Sequence, residues 1–289
     1  MKKFFSFVKI EHTLFSLPVI FSGMALALQA DHAAGKVAPG TWELIRIGLF
    51  ILVAATGART VGFAMNRIID RHIDAKNPRT AIRDLPSGRM SLKEAYGVMA
   101  TGLLVYYIGA SQLNTLCLIL SPIPLAVFLL YPFLKRFTHF AHFGVGLSLA
   151  LGPLGAYFAV RPTLVGAMPA ILLSLFTWFW VSGFDIIYAT ADEEFDKKEG
   201  LHSFPSRFGS KKALQFSGVI HVIAFIVLAA IYGLAFPGSV LASILLLVCG
   251  VLLYLEQKKA TDVEMAFFKI NAVLGFIVLL FILVGVNMS

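Results

Sequence analysis

Nine stretches of mainly apolar residues divide the chain, at 13–30, 44–65, 92–110, 113–131, 139–160, 164–184, 213–234, 237–255 and 265–286. Each is close to the roughly 20 residues that cross a bilayer core. In lipid every backbone N–H and C=O must be paired within the segment, so spans of this kind are helices and not open-edged strands. The expected fold is all-α, a polytopic membrane protein built as a bundle of about nine transmembrane helices. Composition agrees, with 58% of the 289 residues hydrophobic and 14% charged, against about 45–50% and about 25% in soluble domains. A water-soluble enzyme, a disordered chain and a disulfide scaffold are thereby excluded. Cys117 and Cys249 fall inside apolar spans without metal or redox spacing and read as small core residues. Residues 1–30 read as a retained first helix and not a cleaved signal, because the apolar run is long and starts late.

The net charge of +8 has a simple use in such a chain. With the N-terminus cytoplasmic, Lys36, Arg46 and Arg161 alone among the 24 Lys and Arg face outward, and Arg59 lies inside the second span. The remainder, Lys2, Lys3 and Lys9 included, collects on the cytoplasmic side, as the positive-inside rule requires. The basic surplus therefore orients the bundle in the lipid bilayer, and no nucleic-acid partner is expected. The outer connections are short, whereas two cytoplasmic ones, 67–91 and 185–212, are long and polar. Function is expected on that face, at the inner membrane in a bacterial cell.

Both long connections open on acidic clusters. Asn66, Asp70 and Asp74 stand at i, i+4 and i+8, so on a helix their oxygens project from one stripe. Relative to Asp185, Asp192 falls at about −20°, Asp196 at about +20° and Tyr188 at about −60° on a continuous helix. Glu193 and Glu194 then point elsewhere, into solvent. Like charges on one face repel, and a cation is their natural partner. An all-oxygen donor set without a Cys or His stripe favours Mg²⁺ over zinc or copper. Two such clusters facing each other would cradle a phosphorylated substrate. Helices 1–4 and 5–8 read as parallel repeats with the site between them.

These residues resemble the UbiA superfamily of intramembrane prenyltransferases. Its marks are N-x-x-x-D-x-x-x-D after helix 2 and D-x-x-Y-x-x-x-D-x-x-x-D after helix 6. Here they read NRIIDRHID, continuing KNPRTAIRDLPSGR, and DIIYATADEEFD, continuing KKEGLHSFPSRFG. The resemblance covers essentially the whole chain and implies one prenyltransferase domain over residues 1–289. It implies Mg²⁺-dependent transfer of a polyprenyl group from polyprenyl diphosphate to an acceptor. Asn66, Asp70 and Asp74 then correspond to one metal-diphosphate platform, and Asp192 and Asp196 to the other. Lys135 and Arg136, at the foot of helix 4, match a segment that reaches the diphosphate. Asp185 and Tyr188 match the upstream half of the second motif, and Arg67 or Arg71 would assist with phosphate oxygens. Arg59, seven residues before Asn66, either meets an aromatic carboxylate or diphosphate oxygen or pairs internally, for instance with Asp185. His221 and Asn271 read as polar residues satisfied by packing.

Within the superfamily the chain is most similar to the 4-hydroxybenzoate polyprenyltransferase group of quinone biosynthesis, whose acceptor is an aromatic carboxylic acid. Its opening, FVKIEHTLFSLP from Phe7 to Pro18, instead resembles a branch linked to menaquinone made through futalosine, with a dihydroxynaphthoate-type acceptor. Haem, chlorophyll and glycerol-phosphate lipids are acceptors elsewhere in the superfamily. A reading from a different class is a divalent-cation or organic-anion transporter. Transporters place their site near the bilayer midplane on broken helices, whereas these carboxylates stand at helix ends.

Overall fold

The computed structural model describes residues 7, 13–262 and 265–288. Lys2, Lys3, Lys9 and residues 8–12 of the opening segment lie outside the described residues. Among the described residues every regular element is helical, and each of the nine expected spans coincides with a helical segment. These are α1 (Thr13–Ala33), α2 (Thr41–Lys76), α3 (Leu92–Leu113), the pair α4 (Thr115–Leu120) and α5 (Pro122–Leu134), α6 (Ala141–Val160) and α7 (Met168–Ala189). After two short helices in the connection that follows α7, α8 (Glu193–Glu199) and α9 (Phe204–Phe208), come α10 (Ser210–Ala235), α11 (Val240–Lys258) and α12 (Asn271–Met288), the last preceded by a π-helical turn at Met265–Ile270. Seven segments are long and apolar enough to cross a membrane by length and composition. The chain is an integral, multi-pass membrane protein.

Local chemistry sets the boundaries. Ser91 and Glu94 form a reciprocal capping box that starts α3, each side chain bonding the other's backbone N–H. Ser121 and Pro122 divide the fourth span into α4 and α5, because a proline inside a helix removes a donor and clashes with the preceding turn. The sixth span starts at Met168 and not at 164, since Gly166 takes φ +78° and Pro169 occupies the first helical turn. The largest departure is α2. It continues unbroken to Lys76 and holds 36 residues, so Asn66, Asp70 and Asp74 belong to the helix and not to a connection. No proline or helix-ending glycine interrupts it before Asn77, where the backbone turns extended.

Consecutive and distant helices close the bundle together. α2 packs on α3 and α5, α5 on α6, and α6 on both α1 and α7; α7, α10, α11, α12 and α1 continue the circuit. Small residues permit the closest crossings, the usual device where lipid supplies no hydrophobic drive between helices. A Cβ on Gly57 of α2 would lie 2.3 Å from the Tyr106 backbone nitrogen of α3, and one on Gly23 of α1 would lie 1.9 Å from the Pro153 carbonyl oxygen of α6. Neither neighbour is a side chain that can swing away. Gly57→Val should therefore cost about 1–3 kcal/mol through overpacking and lower the thermal midpoint in detergent by several degrees. An unchanged midpoint would contradict the close α2–α3 crossing.

The core among α7, α10, α11 and α12 contains a chain of buried polar groups bonded to one another. Trp180 Nε1 donates to Asn271 Oδ1 at 2.7 Å, and Asn271 Nδ2 donates to Glu256 Oε1 at 3.0 Å. His221 Nε2 lies 3.3 Å from the Trp180 carbonyl. His221 and Asn271 thus have the packing role expected of them. Cys249 is buried in the main core, while Cys117 is half-buried on a cavity wall.

Candidate active site

The first motif forms the expected stripe on the last three turns of α2. Asn66 Nδ2 donates to Asp70 Oδ2 at 3.1 Å. Asp70, only 2% exposed, also receives Lys135 Nζ at 2.6 Å and Arg136 Nη2 at 3.2 Å from the end of α5. Asp74 accepts Arg83 Nη1 on both oxygens, at 2.9 and 2.8 Å. A carboxylate this buried is tolerable only with such partners, and hydrogen bonds to charged donors are the strongest available.

The second motif does not follow a continuous helix. α7 stops at Ala189, a 3₁₀ turn covers Thr190–Asp192, and α8 restarts at Glu193. The tighter turn changes the angle per residue, so the expected common face of Asp185, Asp192 and Asp196 is redistributed over three partners. Asp185 Oδ2 lies 2.7 Å from His142 Nδ1. The Phe204 N–H donates to His142 Nε2 at 3.3 Å, which leaves Nδ1 as the nitrogen that donates to Asp185. Asp196 Oδ2 accepts Ser203 Oγ at 2.8 Å. Asp192 Oδ1 accepts Asn77 Nδ2 at 2.8 Å and Arg79 Nε at 2.9 Å. Glu193 corrects an expectation: it is half-buried, pairs with Lys197 and accepts the Ser210 N–H at 2.8 Å, capping α10. Glu194 is exposed, as expected.

Arg79 joins the two motifs. Its guanidinium meets both Asp192 oxygens, donates to Tyr188 Oη at 2.5 Å and lies 4.5 Å from the Tyr188 ring centre. Lys76 adds a link to Glu199 at 2.6 Å. Burial opposes the charge on Arg79, but the Asp192 hydrogen bonds and the neighbouring Tyr188 outweigh it and hold its pKa above the ordinary arginine value. The segment after α2 is thereby fastened across the end of α7.

Sequence reasoning counted Arg79 and Arg83 among the basic residues that orient the bundle and flank the acidic clusters, without a role of their own, and did not single out Asn77 or His142. The one available signal was RTAIR, two arginines four apart directly beyond the first motif. Arg67 is buried with its guanidinium 5.4 Å from the Phe7 ring centre. Arg71 donates to the Ile68 carbonyl of its own helix at 2.8 Å, a local contact that leaves it apart from the carboxylates.

Below these charges lies a cavity of about 250 Å³ with an almost wholly apolar lining. Arg59, Gly62 and Phe63 of α2, Phe128 and Tyr131 of α5, and Ser148 of α6 line it. Tyr131 stands one helical turn before Lys135, so the cavity begins where the basic arms end. Arg59 projects into this region, its guanidinium 4.8 Å from the Phe63 ring centre. Asp185, the internal partner considered for Arg59, pairs through Oδ2 with His142.

The donor set of both motifs is hard oxygen, which fits Mg²⁺. Among the described residues no three His, Cys, Asp or Glu side chains gather around one point. Each carboxylate is instead balanced by Lys, Arg, Asn, Ser or His. The arrangement is two acidic ridges with cationic arms between them, above an apolar chamber. It suits an amphiphile with a polyanionic head and a long hydrocarbon tail.

Comparison with known proteins agrees. The chain is 29% identical over 211 residues to the 4-hydroxybenzoate octaprenyltransferase of Francisella tularensis subsp. novicida, covering 73% of this chain and 71% of that protein. The apo structure of a UbiA homolog from Aeropyrum pernix K1 superposes with a TM-score of 0.83 at 32% identity, covering 97% of this chain and 99% of that one. A UbiA homolog from Archaeoglobus fulgidus, bound to DMAPP and Mg²⁺, shares the fold with a TM-score of 0.69 at 19% identity, over 98% of this chain and 97% of that one. The model of the UbiA prenyltransferase family matches residues 16–285. The chain therefore belongs to the UbiA prenyltransferase family.

Proposed function

We propose that the protein transfers a polyprenyl group from polyprenyl diphosphate to a hydroxylated aromatic acid of the 4-hydroxybenzoate class, with Mg²⁺, at the cytoplasmic face of the membrane. The carrying observation is the junction of the two acidic motifs through Asn77 and Arg79, directly over an apolar cavity that contains Arg59. Similarity to 4-hydroxybenzoate octaprenyltransferases supports the acceptor class. The DMAPP- and Mg²⁺-bound homolog of the same fold supports the donor and the ion. Both motifs reside in one domain over residues 1–289 in this reading.

The reaction breaks the bond between an allylic carbon and diphosphate, forms a bond from that carbon to a ring carbon, and releases the ring proton. Asn66, Asp70, Asp74, Asp192 and Asp196 would hold Mg²⁺, which when bound would supply Lewis-acid neutralisation of the departing diphosphate. Lys135, Arg136, Arg79 and Arg83 bring fixed positive charge to the same oxygens, worth most where charge grows during the reaction. Their carboxylate partners hold these arms in place before substrate arrives. Tyr188 orients Arg79. The apolar cavity excludes water from the allylic cation, which water would otherwise capture. Rings of Phe63, Phe128 and Tyr131 offer their electron-rich faces to that cation. Arg59 meets the acceptor carboxylate.

The test is product mass. Purified protein with Mg²⁺, octaprenyl diphosphate and separate hydroxylated aromatic acids should yield prenylated 4-hydroxybenzoate. A prenylated dihydroxynaphthoate alone would replace the acceptor and keep the reaction. Ion flux into proteoliposomes with no prenylated product would replace the reading with transport.

A further inference from the structure

We propose that Gly155 sets the length of prenyl chain the protein accepts, an inference that rests on the prenyl-transfer reading above. Ser148, Gly152, Gly155 and Ala156 of α6 line the cavity, and their spacing places them on one helical face. Gly152 is already crowded, since a Cβ there would stand 2.8 Å from Ile20 Cγ1. At Gly155 nothing lies within 4 Å of the position a Cβ would take. Its missing side chain is replaced by open space on the cavity wall. One residue further the wall closes, where Ala156 joins Ile51 and, packed against them, Leu113 and Cys117. Gly155 is thus an open position on the α6 wall of the cavity, exposed, with Phe158 as the next large side chain along that wall.

Its depth can be stated. His142, on the same helix, touches Asp185 at the charged mouth, and Gly155 stands thirteen residues further along. At the α-helical rise that is about 20 Å. Each isoprene unit adds four carbon–carbon bonds, roughly 5 Å of extended chain. The fourth or fifth unit therefore comes level with Gly155. Donors of two or three units end short of it, and longer donors that follow the α6 wall of the cavity run past it.

The experiment compares wild-type protein, Gly155→Ala and Gly155→Leu with Mg²⁺ and 4-hydroxybenzoate. The donors are geranyl diphosphate, with two units, and octaprenyl diphosphate, with eight. The readout is the ratio of kcat/KM for the long donor to that for the short one. Because it is taken within each variant, a change in the amount of folded protein cancels. Leucine should lower the ratio about tenfold or more, and alanine by a smaller factor, in line with the cost of a few misplaced carbon atoms in an apolar pocket. A ratio unchanged in Gly155→Leu overturns the inference, because the chain then leaves the cavity before reaching α6 residue 155. Wild-type protein that transfers neither chain to any hydroxylated aromatic acid overturns the prenyl-transfer reading itself, and the inference with it.

Discussion

Asp70→Ala and Asp192→Ala should each lower prenyl transfer about 10²–10³-fold, the usual loss when a preorganised electrostatic element is removed from a reacting centre. The two should fail differently. Asp70 is buried between Lys135 and Arg136, so its loss leaves two cations without their shared counter-charge. Asp192 anchors Asn77 and Arg79, so its loss also unfastens the segment after α2. Limited proteolysis should therefore cut within residues 77–91 faster in Asp192→Ala than in Asp70→Ala. Glu194→Ala supplies the control: the side chain is exposed, and activity should remain within about twofold, as at ordinary surface positions. Full turnover in either aspartate variant would remove that residue from the proposed site.

Lys135→Met should lower kcat/KM by about 10²-fold, with a raised KM for the diphosphate donor. Lys135 Nζ lies 2.6 Å from Asp70 Oδ2, and its backbone carbonyl accepts the His202 N–H at 2.7 Å. The substitution leaves the second contact intact, so the connection 200–209 keeps its place and the change falls on charge alone. Lys135 and Asp70 act as a unit, and partners in one ion pair couple by about 0.5–3 kcal/mol. The double variant Asp70→Ala/Lys135→Met should consequently lose far less than the product of the two single losses. Multiplicative losses would show that Lys135 and Asp70 serve separate functions.

What the sequence made legible follows from which physics acts locally. Hydropathy placed the helical segments of the bundle, seven of them among the described residues long and apolar enough to cross a membrane, because the requirement for about 20 apolar residues is imposed by lipid thickness and not by tertiary contacts. The stripe Asn66–Asp70–Asp74 was legible too, since four-residue spacing on an uninterrupted helix fixes a face. The hydrogen-bond partners of Asp185, Asp192 and Asp196 lay beyond the same arithmetic, because the 3₁₀ turn at Thr190–Asp192 and the contacts around it depend on packing that no periodicity records. Arg79 and Arg83 were counted as orienting charges for a related reason. Their partners, Asp192 and Asp74, lie 113 and 9 residues away, and side chains this long reach many places from one Cα. Arg71 shows the converse: placed between two motif aspartates in sequence, it turns back to its own helix.

The length of α2 has a consequence for where the chemistry stands. At the helical rise its 36 residues extend about 54 Å, well beyond a hydrocarbon layer of about 30 Å. The eleven residues from Asn66 to Lys76 form a stalk of about 16 Å above the apolar span. On the proposed reaction, a polyanionic head would be met near the membrane surface while its tail stays at the depth of acyl chains. The bilayer would then be the reservoir from which the donor is drawn and to which the product returns. A donor already dissolved in lipid would not have to be extracted, and the energy of hydrating its tail would not enter the reaction.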